Sequence, residues 1–155
     1  MADAASAQRY FEDLAVGQEY RTGTVAVTAE EAREFALRYD PQPFHVDPAA
    51  AAQSVFGGII ASGWLTAALT MRLMVLGELG FGSGVIGLGI DTIKWPAPVR
   101  PGDTLAAKME ILAARTSESR PEFGVIKLRT TTANQRGETV QVLVSNALVR
   151  RRPAA

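Results

Sequence analysis

The pattern of apolar and polar residues predicts mainly helices in the first half of the chain. Residues 20–27 are predicted to form a strand, and Thr28 followed by Glu30 and Glu31 predicts a helix that runs to about residue 39. A short helix is expected over residues 48–53, because Pro48 suits a first helical turn. Residues 64–79 then predict a long helix that is apolar on nearly every face. Such a helix should be wrapped by other elements.

The second half of the chain changes to a period of two and to β-branched residues, after a glycine-rich turn at residues 80–84. Strands are predicted over residues 85–95, 104–116, 123–133 and 139–149, with turns at residues 96–102, 117–121 and 134–137. Four consecutive strands most simply form an antiparallel meander. A curved antiparallel sheet around the long apolar helix would satisfy its need for burial, which predicts an α+β fold of the hot-dog type.

One uncharged stretch, residues 54–71, reaches the length that is considered for a membrane span. Glycine, serine and threonine dilute it, and Arg72 ends it, so we interpret it as a loop followed by a buried helix. At 155 residues the chain predicts a single domain over residues 1–155, with flexible ends at residues 1–8 and 152–155.

Charge and composition exclude several classes of function. The 16 basic residues balance the 16 acidic ones, which does not favour nucleic acid binding. A single histidine and the lack of cysteine argue against disulfides, thiolate chemistry and multi-histidine metal sites. We therefore expect no metal site; the expectation of no cofactor comes from the family resemblance given below. The first eight residues do not resemble a secretory signal, so a cytoplasmic location is expected.

The most informative segment for chemistry is residues 39–48. Asp40 and His45 are five positions apart in a stretch with three prolines, which should forbid a regular helix and stiffen the loop. Histidine exchanges protons near neutral pH, and a neighbouring carboxylate can orient it or share the work. On spacing alone, a structural histidine beside a helix-terminating aspartate is an equal alternative.

A second candidate lies directly before the long helix. Ser62 or Gly63 would occupy its N-terminal boundary, where unpaired N–H groups and the helix dipole favour negative charge and can hold an oxyanion. The simpler alternative is a serine N-cap with glycines in a turn. Downstream, Asp91, Lys94 and Asp103 are expected to be solvated or turn-forming.

Three groups of residues carry a resemblance to a known family: Asp40, Pro43 and His45; Phe56 with Ala61-Ser62-Gly63; and the Pro-Val-Arg-Pro-Gly-Asp-Thr-Leu run at residues 98–105. From about residue 11 to 151 the chain closely resembles the MaoC-like dehydratases, also described as (R)-specific enoyl-CoA hydratases. The resemblance implies that water is added to a trans-2-enoyl-CoA to give a 3-hydroxyacyl-CoA, with coenzyme A bound only as part of the substrate.

The same resemblance implies roles for individual residues. Asp40 and His45 would form the catalytic dyad, and Gly63 would be the backbone donor to the thioester oxygen. Substrate contacts are expected from Ser62 and Phe56 in the matching motif, from Trp64 in the acyl tunnel, and from Lys94 and Arg100 at the phosphates of coenzyme A. Core packing is the alternative for Trp64, and surface ion pairing for the two cations. The chain has Gln42 and Ser62 where many members have asparagine and histidine.

The motif occurs once, so a homodimer with two equivalent sites is expected. Two other functions stay open at this point. A hot-dog thioesterase would place a carboxylate on the buried helix, where Glu78 is the only one and lies near the end. A non-catalytic acyl-CoA-binding protein would keep the fold without the reaction.

Overall fold

The computed structural model describes residues 8–81 and 84–154. After a 3-10 turn at Phe11–Asp13, the elements are β1 (Glu19–Ala26), α1 (Ala29–Tyr39), α2 (Pro43–Val46), α3 (Pro48–Gln53), α4 (Gly63–Leu76), β2 (Ile86–Lys94), β3 (Thr104–Thr116), β4 (Phe123–Ala133) and β5 (Thr139–Arg150). Except for α2, each helix and strand was predicted, and their ends agree to within three residues. Of the predicted flexible ends, residues 1–7 and 155 lie outside the described part, whereas Arg152 contacts the carboxylates of Glu12 and Asp13.

The five strands form one antiparallel sheet in the order β1-β3-β4-β5-β2. The predicted meander is correct for β3, β4 and β5 but wrong for β2, which pairs with β5 instead of β3. The two edges of β3 are taken by β1 and β4, so β2 joins the free edge of β5. Residues 95–103 therefore connect β2, at one edge of the sheet, to β3, which lies beside β1 near the other edge. The hot-dog architecture itself is confirmed.

Helix α4 packs against β1 and β3 through one face only. Leu65, Leu69 and Leu73 are buried in a core cluster that includes Leu105 of β3 and Val140 of β5. On the opposite face the side chains of Trp64, Met71 and Val75 are more than half exposed, and so is that of Leu76, the last residue of the helix. The expectation that other elements surround this helix on all sides is therefore wrong within a single chain. The sheet of that chain covers only one face of the helix.

The proline-rich segment after α1 contains a turn of helix that the sequence did not predict. Pro43 begins α2 at its first position, where the missing N–H of proline leaves no hydrogen bond unmade. Pro41 and Pro48 lie outside that turn, so they do not interrupt it, and Asp47 caps the start of α3. This turn carries His45, whose side chain is buried.

The uncharged stretch at residues 54–71 is confirmed as a loop that leads into α4. Within the described part of the chain, no helix is both long and apolar enough to cross a membrane.

Candidate active site

Asp40 and His45 form a close pair between the end of α1 and the turn of α2. The His45 Nε2 atom lies 3.2 Å from Asp40 Oδ2, and the two side chains are 5% and 16% exposed. On the other side of the ring, His45 Nδ1 lies 2.7 Å from the Ile60 carbonyl oxygen. Because a carbonyl only accepts, Nδ1 must carry a proton, which leaves Nε2 as the atom that exchanges protons on the side of Asp40.

Two further groups hold the Asp40 carboxylate. The Ser62 hydroxyl donates to Oδ2 at 2.6 Å, and the Gln42 side-chain amide donates to Oδ1 at 2.7 Å. Burial would raise the pKa of Asp40, but the hydrogen bonds from Ser62 and Gln42, together with the neighbouring His45, outweigh burial and hold this pKa below its ordinary value. Asp40 is thus a carboxylate at neutral pH and has fixed neighbours for both oxygens.

The N-terminus of α4 meets this pair. Ser62 is the N-cap of the helix, as predicted, and its fully buried hydroxyl oxygen accepts from the Trp64 N–H at 3.2 Å. Gly63 is the first helical residue, and no acceptor for its N–H occurs among the described residues. A free N–H at the positive end of a helix is a suitable donor to an oxyanion.

A cavity of about 380 Å³ opens onto these groups. Asp40, His45 and Gly63 line its polar side. The rest of its lining is mostly apolar and includes the following side chains: Phe56, Trp64, Trp95, Pro98, Val99 and Val140. A largely apolar cleft with a few convergent polar groups is the usual form of a small-molecule site.

Most of the residues expected at the site lie together. Asp40, His45, Gly63, Trp64 and Phe56 all line the cavity, and Ser62 lies directly behind Asp40. The two predicted phosphate contacts, Lys94 and Arg100, do not line it.

Arg100 supports the loop that carries Phe56. Its guanidinium group donates to the Phe56 carbonyl at 2.7 Å. Lys94 is exposed at the end of β2. A role for either cation in binding substrate stays a prediction.

The sequence interpretation missed Trp95 and Gln141. The Trp95 indole packs against Gly63, and its Nε1–H donates to Gln141 Oε1 at 2.9 Å. An aromatic residue directly before the proline-rich connection was the available signal for Trp95. Gln141 lies two residues before the buried Leu143 on β5, so the alternation of the strand places its side chain on the buried face.

Comparisons with known proteins agree with this geometry. The MaoC-like domain matches residues 12–134. The (R)-specific enoyl-CoA hydratase of Aeromonas caviae is 38% identical over 104 residues, which is 67% of this chain and 75% of that protein. The 3-hydroxyacyl-thioester dehydratase Z of Mycobacterium tuberculosis is 32% identical over 145 residues, or 89% and 93% of the two chains.

A solved structure extends the likeness to three dimensions. The crystal structure of a MaoC-like dehydratase from Rhodospirillum rubrum superposes with a TM-score of 0.89 at 45% identity, and the match covers 94% of this chain and 99% of that one. Sequence and fold thus agree over nearly the whole length. The chain belongs to the MaoC-like family of hydratases and dehydratases.

Proposed function

We propose that this protein adds water to a trans-2-enoyl-CoA to give a 3-hydroxyacyl-CoA, and catalyses the reverse dehydration. The observation that carries the proposal is the contact between Asp40 and His45 at 3.2 Å, beside a cavity that Gly63 also lines. The N–H of Gly63 has no acceptor among the described residues. The hydratase and dehydratase names of the relatives support this class of reaction.

The reaction needs one group to take a proton and one to return it. A water molecule bound by Asp40 and His45 gives one proton to the pair while its oxygen bonds to the β carbon of the substrate. The pair then returns a proton to the α carbon on the same side. The carbon–carbon double bond becomes a single bond, and the enzyme recovers its starting protonation state. Such positioned proton transfer typically contributes on the order of 10²–10⁴-fold to a rate.

Negative charge builds on the thioester oxygen when the β carbon is attacked. The Gly63 N–H, aided by the dipole of α4, would donate to that oxygen. Removal of one such donor costs about 3 kcal/mol of transition-state stabilisation in other enzymes. No metal or cofactor takes part in the proposed steps.

The acyl group and the phosphates of the substrate are matched to side chains of suitable polarity and charge. Phe56 and Trp64 would contact the acyl group, because both line the cavity with apolar surface. Lys94 and Arg100 would lie outside it, near the phosphates of coenzyme A. Arg100 would then act in two ways, since it already binds the Phe56 carbonyl.

We also propose that the protein is a homodimer formed through an apolar patch, defined as the exposed face of α4 together with β2. Every residue of β2 but Ile93 is exposed, and Ile86, Leu88 and Ile90 add apolar side chains to the patch. Among the described residues β2 pairs with β5 alone, so its other edge is open there. An open edge with an apolar face favours association, and a second copy offers the same edge in two-fold symmetry. The patch includes Trp64, which also lines the cavity.

One assay separates the proposed function from its alternatives. The purified protein is mixed with crotonyl-CoA, and both the ultraviolet absorbance of the conjugated thioester and the release of free thiol are followed. Hydration lowers the absorbance without releasing thiol. Release of thiol would instead indicate a thioesterase, and no change in either signal would indicate a non-catalytic binder; both results contradict the proposal.

The position of Glu78 favours hydration over thioester hydrolysis. Glu78 follows the C-terminal end of α4, where its Oε2 accepts from the Arg21 N–H at 3.0 Å. A helix of 14 residues is about 20 Å long, so this carboxylate lies far from the dyad at the other end. A thioesterase mechanism would need a carboxylate on α4 near the thioester.

A further inference from the structure

The Trp95 indole takes the place of a side chain at Gly63. A Cβ atom built on Gly63 would lie 2.6 Å from Trp95 Cε2 and 2.8 Å from Cδ2, far inside contact distance. Any residue other than glycine would therefore collide with this ring. The indole also lines the cavity and meets the Trp64 ring edge-on, with the ring centroids 5.4 Å apart. It thus covers the backbone of Gly63, which lines the cavity and is the proposed donor to the thioester oxygen.

Gln141 fixes this indole at a cost to the fold. The Gln141 side chain is fully buried in β5, and its Oε1 accepts from Trp95 Nε1–H at 2.9 Å. Its Nε2 is buried and has no hydrogen-bond partner in the described part of the chain. Burial of an unpaired amide destabilises a protein, and an apolar residue of the same size would avoid that penalty. The only hydrogen bond of this side chain among the described residues is the one to Trp95.

The pairing of the strands beside Gln141 is irregular. The pairing of β4 with β5 shifts register between Thr132, which pairs with Gln141, and Ala133, which pairs with Thr139. Such bulges commonly redirect a side chain near a functional site. Val140, which the shift leaves without a partner in that pairing, lines the cavity beside Trp95.

We infer that Trp95 is a positioning residue for the thioester carbonyl, an inference that rests on the proposed function. Held by Gln141, the indole keeps bulk water away from the Gly63 N–H and seats the thioester oxygen against it. Hydrogen bonds strengthen when water is excluded, because the local dielectric constant falls. Trp95 therefore controls how strongly the site distinguishes a carbonyl from a group that lacks one.

The test measures this carbonyl preference directly. Crotonyl-CoA and the matching thioether, S-(but-2-enyl)-CoA, differ in the carbonyl oxygen, and their Kd values are measured by calorimetry. An Asp40→Asn background prevents turnover of the thioester. We expect the thioester to bind about 10-fold more tightly than the thioether, and Trp95→Ala to reduce this ratio to about two.

Two further variants distinguish positioning of the thioester carbonyl by Trp95 from the mere loss of an aromatic side chain that lines the cavity. Trp64→Ala removes the other indole of the cavity, which does not occupy the side-chain place of Gly63; both ligands should weaken alike, and their ratio should stay. Gln141→Leu releases the indole and removes the buried unpaired amide. It should lower the ratio while Tm stays the same or rises, which a structural role of Gln141 would not produce.

The outcomes keep the inference apart from the proposed function. If the native protein hydrates crotonyl-CoA but Trp95→Ala leaves the affinity ratio unchanged, or the ratio is near one before any change at Trp95, then the inference is wrong and the function stands. If the native protein does not hydrate crotonyl-CoA, the proposed function is wrong, and the inference, which rests on it, is wrong with it.

Discussion

The Ser62 hydroxyl connects the start of α4 to the Asp40 carboxylate. It donates to Asp40 Oδ2 at 2.6 Å, and its oxygen accepts from the Trp64 N–H at 3.2 Å. One buried side chain thus caps the helix and fixes the orientation of Asp40. The helix end and the dyad are therefore held as a unit, and this relationship gives the first prediction.

Ser62→Ala should move the acid limb of the pH profile to higher pH. The pKa of Asp40 is lowered in the fold, so its carboxylate stabilises the protein at neutral pH, and that stabilisation is lost as the pH falls through the lowered value. Without the Ser62 donor, only Gln42 and His45 would oppose the effect of burial, so the pKa of Asp40 should rise from its lowered value. The measurement is kcat/KM for crotonyl-CoA against pH.

Thr28→Ala is the control for the loss of a helix cap. The Thr28 side chain accepts from the Glu31 N–H at the start of α1, away from the cavity. Each cap variant should lose about 1 kcal/mol of unfolding free energy. Only Ser62→Ala should shift the pH profile; an equal shift in Thr28→Ala would contradict the assigned role of Ser62.

Gly63→Ala should disrupt the site through a collision with Trp95. The new methyl group would lie 2.6 Å from the indole, so either the ring or the helix end must move. Overpacking of this kind typically costs about 1–3 kcal/mol. We expect crotonyl-CoA hydration to fall at least about 10-fold, since the Gly63 donor would be displaced as well. Tryptophan fluorescence should change in parallel.

Gly58→Ala is the matched control for this substitution. A Cβ on Gly58 would meet only Arg100 Nη1 at 3.5 Å, an ordinary contact. Hydration by this variant should stay near that of the native protein. If Gly63→Ala is as active as Gly58→Ala, then the donor assignment of Gly63 is wrong.

Leu88→Lys should convert the proposed homodimer into monomers. Leu88 is the third residue of β2, lies on the apolar patch and is 53% exposed in one chain. A two-fold interface would bring two lysines close together, which is unfavourable in an apolar contact. Val16→Lys places the same charge on another exposed apolar residue, in the turn before β1.

Light scattering coupled to size-exclusion chromatography measures the mass of each variant. The native protein and Val16→Lys should have twice the mass of the chain, and Leu88→Lys the mass of one chain. A native protein that is a monomer, or a Leu88→Lys variant that stays a dimer, would refute this interface.

The fold was largely predictable because its elements have strong local signals. The alternation of apolar and polar residues over β3 and β4 predicted where these strands begin and end. Thr28 and Ser62 indicated the N-terminal caps of α1 and α4. The place of β2 was not predictable in the same way. Which strand edge it joins depends on β1 taking the edge of β3, a contact between parts of the chain about 80 residues apart.

The candidate site was predictable only where a motif is compact in sequence. Asp40 and His45 are five residues apart, so one short segment announces both. Gln141 and Trp95 are 46 residues apart, and only the fold brings them into contact. The same limit applies to the Ile60 carbonyl, which fixes the tautomer of His45. Every residue has a backbone carbonyl, so the sequence does not indicate which one contacts the histidine.

The rate of Asp40→Asn with crotonyl-CoA tests the central claim most directly. Asparagine keeps the size of the side chain and can accept from Ser62, but it cannot take or return a proton with His45. Circular dichroism and Tm check that the variant is folded, and His45→Ala should give the same result. We predict that hydration falls by about 10³-fold or more. A folded Asp40→Asn protein that hydrates crotonyl-CoA at the native rate would contradict the proposed dyad.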